Sequence, residues 1–375
     1  MWWIAGLVGL GSLLAGAVSR HDAYQVAIIR AAPVLAFLVA ITVLSELAQK
    51  AGVFDAAANV CARRAGGSTM RLFLLIAALG TLVTIGMSLD TTAVLLTPVV
   101  LTLARSLRLS AAPFALLVVW LANTSSLLLP VSNLTNLLAL QREHLSATTF
   151  ATRMALPELV AVVITVGYLA LVFHRDLTGT YEAAPSRPPT DRLLFGVCAL
   201  ACLSLAPGVL LGLHPWEIAA PCAAACVTAF AVRQRGQLSW SMLPWRIVIL
   251  TEGLFLVVTA LATHGLTHLL ADAQGTSVAR TVVVSAVGSN AVNNLPAYLA
   301  EEPAIPAGHT TQLLGALLGT NGGGLILVWG SLATLLWRER CARFDVHISL
   351  RRFAAIGLGG TPLILTGTWL ALRLT

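Results

Sequence analysis

Apolar stretches close to the roughly 20 residues that cross a bilayer recur along the whole chain. They fall at about 2–19, 26–48, 113–140, 154–174, 193–213, 215–232, 246–265, 311–337 and 353–373. Two further apolar regions, about 70–107 and 276–303, are interrupted by Gly86 to Thr92 and by Gly288 to Asn294. Pro98 and Pro296 follow these interruptions closely. Each region reads as a re-entrant helical hairpin that enters and leaves on one side. The second is too short for two full spans.

Two of the nine spans are also broken, and their breaks align. The first is ANTSSLLLPVSNLTN, Ala122 to Asn136; the second is TNGGGLILVWGSLAT, Thr320 to Thr334. With Asn123 set on Asn321 no gap is needed: Leu127 meets Leu325, Leu134 meets Leu332, and Ser132-Asn133 meets Gly330-Ser331. Such backbone survives at membrane depth only when buried in protein or lining a wet cavity. A matched pair, one in each half, points to a transporter site built from two broken helices.

Four crossings precede the polar, proline-rich linker 176–192, one extra lies at 193–213, and four follow. Four crossings return a chain to its starting side, so the extra span inverts the second half. The expected fold is an all-α polytopic membrane protein of two inverted repeats, 1–175 and 193–375. Each carries a re-entrant hairpin and a broken helix, and a flexible cytoplasmic linker joins them. Gly52 to Arg64 and Thr267 to Ala273 read as short interfacial helices.

Composition narrows the class. The chain is 57% hydrophobic and 10% charged, against about 25% charge in soluble domains. No large soluble domain fits. The net charge of +7 reads as cytoplasmic loops rather than a nucleic-acid surface. With the N-terminus cytoplasmic, Lys50, Arg63, Arg64, Arg71, Arg105, Arg108, Arg175, Arg187, Arg192, Arg233, Arg235, Arg246, Arg338, Arg340, Arg343, Arg351 and Arg352 lie inside. Only Arg20, Arg30, Arg142, Arg153, Arg280 and Arg373 lie outside, as the positive-inside rule requires. The C-terminus then lies outside, and the first hairpin opens from the cytoplasm. The first apolar stretch lacks a basic leader and reads as a span rather than a cleaved signal.

Asp90 is the main candidate for chemistry. It sits at the tip of the first hairpin beside Ser88, Thr91 and Thr92. A carboxylate at membrane depth is costly and marks a functional site by default. It suits proton coupling or cation coordination; the plainer role is helix N-cap. Ser289, Asn290, Asn293 and Asn294 in the second hairpin offer neutral amides and hydroxyls. Asn123, Thr124, Ser125, Ser126, Ser132, Asn133 and Asn136 would line the cavity from one broken helix. Asn321, Gly322, Gly323, Gly324 and Ser331 would line it from the other, the glycines letting backbone approach a solute. Glu252 is a second candidate protonatable group.

Cys198 and Cys202, and Cys222 and Cys226, are spaced i,i+4, each pair on one helix face. They read as small packing residues, with capture of a soft metal or metalloid as the sharper alternative. His264 and His268 read as interfacial. No zinc cluster, Walker motif, nucleophile elbow or dinucleotide fingerprint is present. The expectation is therefore no enzyme activity, no resident metal and no cofactor.

The strings ANTSSLLLPVSNLTN, SLDTTAVLLTP, SNAVNNLP and GSLATLLW together resemble the ArsB-type arsenite efflux permeases of the ion transporter superfamily, over about Phe37 to Trp337. The resemblance implies export of arsenite and antimonite across the plasma membrane. The drive would be proton exchange, or ATP when a soluble ATPase subunit docks; an oligomer is left open. It also implies that hairpin tips and broken helices form the substrate site in a mobile domain. Three departures stand out. Leu89 occupies the place of the usual Asn before the tip aspartate. Asn321-Gly322-Gly323-Gly324-Leu325 replaces a stretch that often holds Asp and Gly-Pro. Neither Ser88-Leu89-Asp90 nor Ser289-Asn290-Ala291 completes the Ser-Asn-Thr triplet of carboxylate carriers. One anionic ligand is thus absent, which fits a neutral solute such as As(OH)3. The rival readings are a sodium/proton antiporter, an anion symporter, a channel, or the membrane subunit of an ATPase-coupled pump.

Overall fold

The computed structural model describes residues 2–182 and 191–375. Residues 183–190 of the linker expected at 176–192 therefore lie outside the described residues. The chain opens with α1 (Trp2–Leu14), α2 (Arg20–Tyr24) and α3 (Ala32–Lys50), the last two joined by a π-helical segment, Gln25–Ala31. Helix α4 (Val53–Arg64) buries Phe54, Ala58 and Ala62, one face at four-residue spacing. The first hairpin is α5 (Thr69–Gly86), α6 (Leu89–Thr91), a π-helical turn Thr92–Leu96, and α7 (Thr97–Ser106). The first broken helix is α8 (Ala111–Thr124) and α9 (Leu134–Glu143), followed by α10 (Ala147–Val172) and α11 (His174–Leu177).

The second half begins with α12 (Arg192–Leu210), α13 (Pro215–Arg233), α14 (Trp245–Leu261) and α15 (Thr267–Gln274). The second hairpin is α16 (Val278–Val292) and α17 (Asn294–Glu301). The second broken helix is α18 (Thr310–Gly323) and α19 (Leu332–Ala342), and α20 (Leu350–Leu372) closes the chain. Among the described residues, 8 helical stretches are long and apolar enough to cross a membrane. The β contact recorded is one isolated bridge, Ser68 to Thr180.

Both hairpins fold back on themselves with a defined register. In the first, Thr84 Oγ1 meets Thr92 Oγ1 at 2.8 Å, and Gly80 faces Leu96, so the turn centres on Ser88. In the second, Ser285 Oγ donates to Glu301 Oε2 and Gly288 faces Ala297, so the turn centres on Asn293. Asn293 takes the left-handed φ of 96° that the reversal needs. The arms differ in reach. Each arm of the first has 18 residues, about 27 Å and nearly the hydrocarbon thickness. Those of the second have 15 and 8. Either length returns the chain to the side it left.

The packing partners exchange between halves. Helix α1 packs on α14, while α13 packs on α3, and α10 packs on α20. At the first contact Gly253 faces the carbonyl of Ala5, where an added Cβ would lie 2.3 Å from that oxygen. At the last, Tyr168 Oη donates to the carbonyl of Ile356 at 2.9 Å.

Three expectations need correction. The first span is only Trp2–Leu14, because the chain turns at Gly16 with φ 75°. The start of the linker is fixed rather than flexible. Tyr181 N donates to Gly67 O at 2.8 Å and its hydroxyl donates to Ala62 O at 2.6 Å, which ties it to the turn before α5. The span at 246–265 ends at Leu261. His264 and Gly265 then leave helical geometry (φ −103° and 101°), so His264 and His268 do not share one regular helix face.

Candidate functional site

The two broken helices meet at their breaks. Asn321 Nδ2 donates to Asn136 Oδ1 at 3.2 Å, and Thr135 Oγ1 donates to Asn321 Oδ1 at 3.1 Å. Asn123 Nδ2 reaches Thr334 Oγ1 at 3.5 Å. The second halves start at aligned positions, Leu134 and Leu332, behind N-cap residues Asn133 and Ser331.

Each break is held by its own set of partners. In the first, residues 125–133 leave the helix. Asn136 Nδ2 donates to the carbonyls of Ser126 (2.7 Å) and Leu129 (3.0 Å). Ser132 Oγ donates to Ile85 O on the first hairpin at 3.1 Å. Glu158, mid-way along α10, accepts from Leu127 N at 2.9 Å. In the second, the hairpin does this work. Asn290 donates to Gly323 O (2.7 Å) and accepts from Leu327 N (2.9 Å). Asn293 Nδ2 donates to Trp329 O at 2.9 Å, and Asn294 N donates to Gly330 O at 3.0 Å. These bonds satisfy backbone that lipid could not.

Many of the residues expected to face a solute are therefore engaged with backbone. Thr124, Ser125 and Ser126 donate their single protons to Trp120 O, Leu121 O and Asn123 O. Ser289 donates to Ser285 O and Thr320 O. The glycines serve helix packing rather than an open approach. A Cβ on Gly323 would lie 2.4 Å from that of Ala286, and one on Gly324 2.6 Å from Gly330 O. Gly322 faces Ile364 and Leu365 of α20.

Four buried polar atoms at the breaks have no hydrogen-bond partner among the described residues: Asn123 Oδ1, Asn133 Nδ2, Ser331 Oγ and Glu158 Oε1. Asn133 and Ser331 are the aligned N-caps. Asn133 uses its other end, Oδ1, to cap Thr135 N at 3.2 Å, whereas Ser331 makes no side-chain cap bond. Asp90 is not the N-cap of its arm. Ser88 is, accepting from Thr91 N at 3.1 Å, so the Asp90 carboxylate is left free one residue into the helix. The turn Leu89–Thr91 packs against both α8 and α19, which brings Asp90 beside the helices that carry Asn123 and Ser331. No Lys or Arg lies at either break or hairpin turn.

Glu252 is elsewhere. Its helix packs chiefly on α1, then on α17 and the π-helical segment Gln25–Ala31. Glu158 was missed by sequence reasoning, although a lone carboxylate deep in an apolar span was the signal for it. Glu301 and Glu302 were also missed. Glu302 is buried and pairs with Arg30, at the end of the second hairpin away from its turn.

Discontinuous helices meeting at their breaks, flanked by helical hairpins, define a multi-pass membrane transporter. The chain belongs to the citrate transporter family, whose profile matches residues 1–318. It is 30% identical to an arsenical pump membrane protein of Escherichia coli over 91% of this chain and 86% of that protein. To the arsenical pump membrane protein of E. coli strain K12 it is 28% identical, over 100% of this chain and 94% of that protein. The equivalent protein of Yersinia enterocolitica is 28% identical over 91% and 86%. The crystal structure of the Alcanivorax borkumensis YdaH transporter, noted for an unusual topology, matches in fold. It has a TM-score of 0.57 at 15% identity, covering 92% of this chain and 85% of that one.

Proposed function

We propose that the protein exports trivalent arsenic or antimony, as the neutral hydroxide, from the cytoplasm in exchange for protons. One observation carries the reading. The free groups at the junction are an amide oxygen, an amide nitrogen, a hydroxyl, the Asp90 carboxylate and one oxygen of Glu158, with no cation among them. As(OH)3 carries three hydroxyls that both donate and accept, and it needs no charge partner. A citrate-like trianion would be unpaired there and costly to desolvate, so the anion-symporter reading is disfavoured despite the family's description. The names of the relatives point the same way.

Asp90 carries the coupling proton in this scheme. Protonated, it donates a hydrogen bond to the solute; ionised, it accepts one, and the two states alternate as the site faces each side. Asn123, Asn133 and Ser331 supply the remaining contacts. Asn136, Asn321, Asn290, Asn293 and Asn294 hold the breaks in shape. The exchange of α1–α14 for α13–α3 contacts supports two inverted repeats, with a cytoplasmic N-terminus and an external C-terminus.

Arsenite uptake into inverted vesicles, with and without an imposed pH gradient, tests this. Uptake should accelerate with an acidic lumen, and Asp90→Asn should abolish the gradient-driven part. Gradient-driven uptake at normal rates in that variant would sink the coupling role. Uptake that required a co-purifying soluble ATPase would favour an ATP-coupled pump.

A further inference from the structure

Helices α12 and α13 form an antiparallel pair joined by a short turn, and their register brings two cysteine pairs together. Near the turn Gly208 abuts Ile218. Further along, Ser204 Oγ lies 3.3 Å from Cys222 Sγ. The same register sets Cys198 opposite the turn of α13 that carries Cys226, and Cys202 opposite the stretch between Cys222 and Cys226. The i,i+4 spacing on each helix stacks the pairs one turn apart. All four are free thiols. Cys198 and Cys226 are buried, while Cys202 and Cys222 are partly exposed.

Packing alone does not call for four thiols along one helix interface. Among the described residues no three His, Cys, Asp or Glu side chains close into a metal-binding group. That excludes a tetrathiolate zinc centre and leaves two-coordinate thiol chemistry. We propose that Cys198 and Cys226 form an accessory dithiol site for a trivalent thiophilic metalloid, with Cys202 and Cys222 as its more accessible approach. The step is a condensation. Two As–S bonds form and two As–O bonds break. Each departing hydroxide takes one thiol proton and leaves as water. No oxidant or reductant is needed. The bridged product links α12, which follows the linker, to α13, which packs on α3. The site is separate from the broken helices and rests on thiol chemistry rather than on the transport reading.

Full-length protein in detergent, treated with sodium arsenite, gives the test. Intact-protein mass spectrometry counts retained arsenic. Maleimide alkylation in SDS with peptide mapping then locates protected thiols, with Cys61 and Cys341 as internal references. The expected result is one retained arsenic and several-fold less alkylation of Cys198 and Cys226 together, with the references unchanged. Cys198→Ala should lose the adduct and expose Cys226, whereas Asp90→Asn should keep the adduct. No adduct in the wild type, or equal protection of Cys226 in Cys198→Ala, overturns the site. Replacing all four cysteines by Ala should leave vesicle transport intact; loss of transport would overturn the accessory role.

Discussion

Asn136 and Asn321 stand 185 positions apart and are joined side chain to side chain, Nδ2 of Asn321 donating to Oδ1 of Asn136 at 3.2 Å. Their aligned counterparts, Thr334 and Asn123, form the matching contact from the opposite direction. The match is incomplete. Asn321 Oδ1 also accepts from the hydroxyls of Thr135 and Thr320. The aligned positions on the other side are Ala333 and Ala122, which have none. Asn123 Oδ1 is therefore left without a partner. A near-symmetric junction thus acquires one free acceptor through the loss of two hydroxyls.

The Asn136–Asn321 bond should behave as a structural clamp. Asn136→Ala and Asn321→Ala should each destabilise the protein by about 1–3 kcal/mol, because each leaves a buried polar partner unpaired. The double variant should cost clearly less than the sum. Thermal unfolding in detergent by tryptophan fluorescence reads the cycle; strict additivity would mean that the bond contributes nothing.

Ser331 and Ala333 should act on substrate rather than on stability. Ser331 Oγ has no partner, so Ser331→Ala removes no protein bond and should leave the melting temperature nearly unchanged while raising KM for arsenite several-fold. Ala333→Ser offers Asn123 Oδ1 the hydroxyl that its counterpart already has, and should weaken arsenite binding by occupying that acceptor. Vesicle kinetics and melting curves for the two variants separate the effects. A large loss of stability in Ser331→Ala would show that the hydroxyl is structural.

Much of this was legible in the sequence, for a physical reason. Glycine, Asn and Ser within an apolar span announce broken backbone, and the breaks fell at the positions the alignment gave. What holds a break was not legible. Glu158 reaches Leu127 from a different helix, and Asn290 reaches Leu327 across 37 positions. Such pairings depend on helix–helix register, which composition does not encode. The hydroxyls of Thr124, Ser125 and Ser126 looked like ligands because sequence cannot show that the backbone three or four residues earlier takes their protons. Asp90 could be read as a cap until the geometry of Ser88 removed that role. The thiol pairs on α12 and α13 were visible only as two separate faces, and only packing brought them together.

Acid should loosen the entrance to the second half. Asp191 Oδ2 accepts from Arg233 Nε at 2.6 Å, and its Oδ1 caps α12 through Leu193 N and Leu194 N. The guanidinium first, then the cap amides, hold the carboxyl below its ordinary value of 3.8. With a lowered folded-state pKa, the unfolded chain binds more protons in acid. The stabilisation is therefore complete above the ordinary carboxylate range and is lost as pH falls through it to the depressed value. The pair lies at the surface with Arg233 half exposed, so the effect is small and salt-sensitive. Melting temperatures of wild type and Asp191→Asn should differ at neutral pH and converge in acid. Parallel curves would remove Asp191 from the acid response.

Glu158 should prove to be a structural acceptor whose loss also disturbs transport. Its carboxylate is buried on α10, and Oε2 accepts from Leu127 N at 2.9 Å while Oε1 has no partner among the described residues. That amide belongs to backbone that has left α8 and has no helical partner. Glu158→Ala would orphan it at membrane depth, and an unpaired buried amide costs about 1–3 kcal/mol. Glu158→Gln keeps one oxygen acceptor and should retain most of the stability. If the residue only holds the break, the Gln variant transports arsenite with an unaltered pH-gradient dependence and the Ala variant unfolds or fails to accumulate. If Gln folds well but loses the gradient dependence, Glu158 shares the coupling proton with Asp90. Melting curves and gradient-driven vesicle uptake, measured on both variants, decide between a strut and a second titrating group.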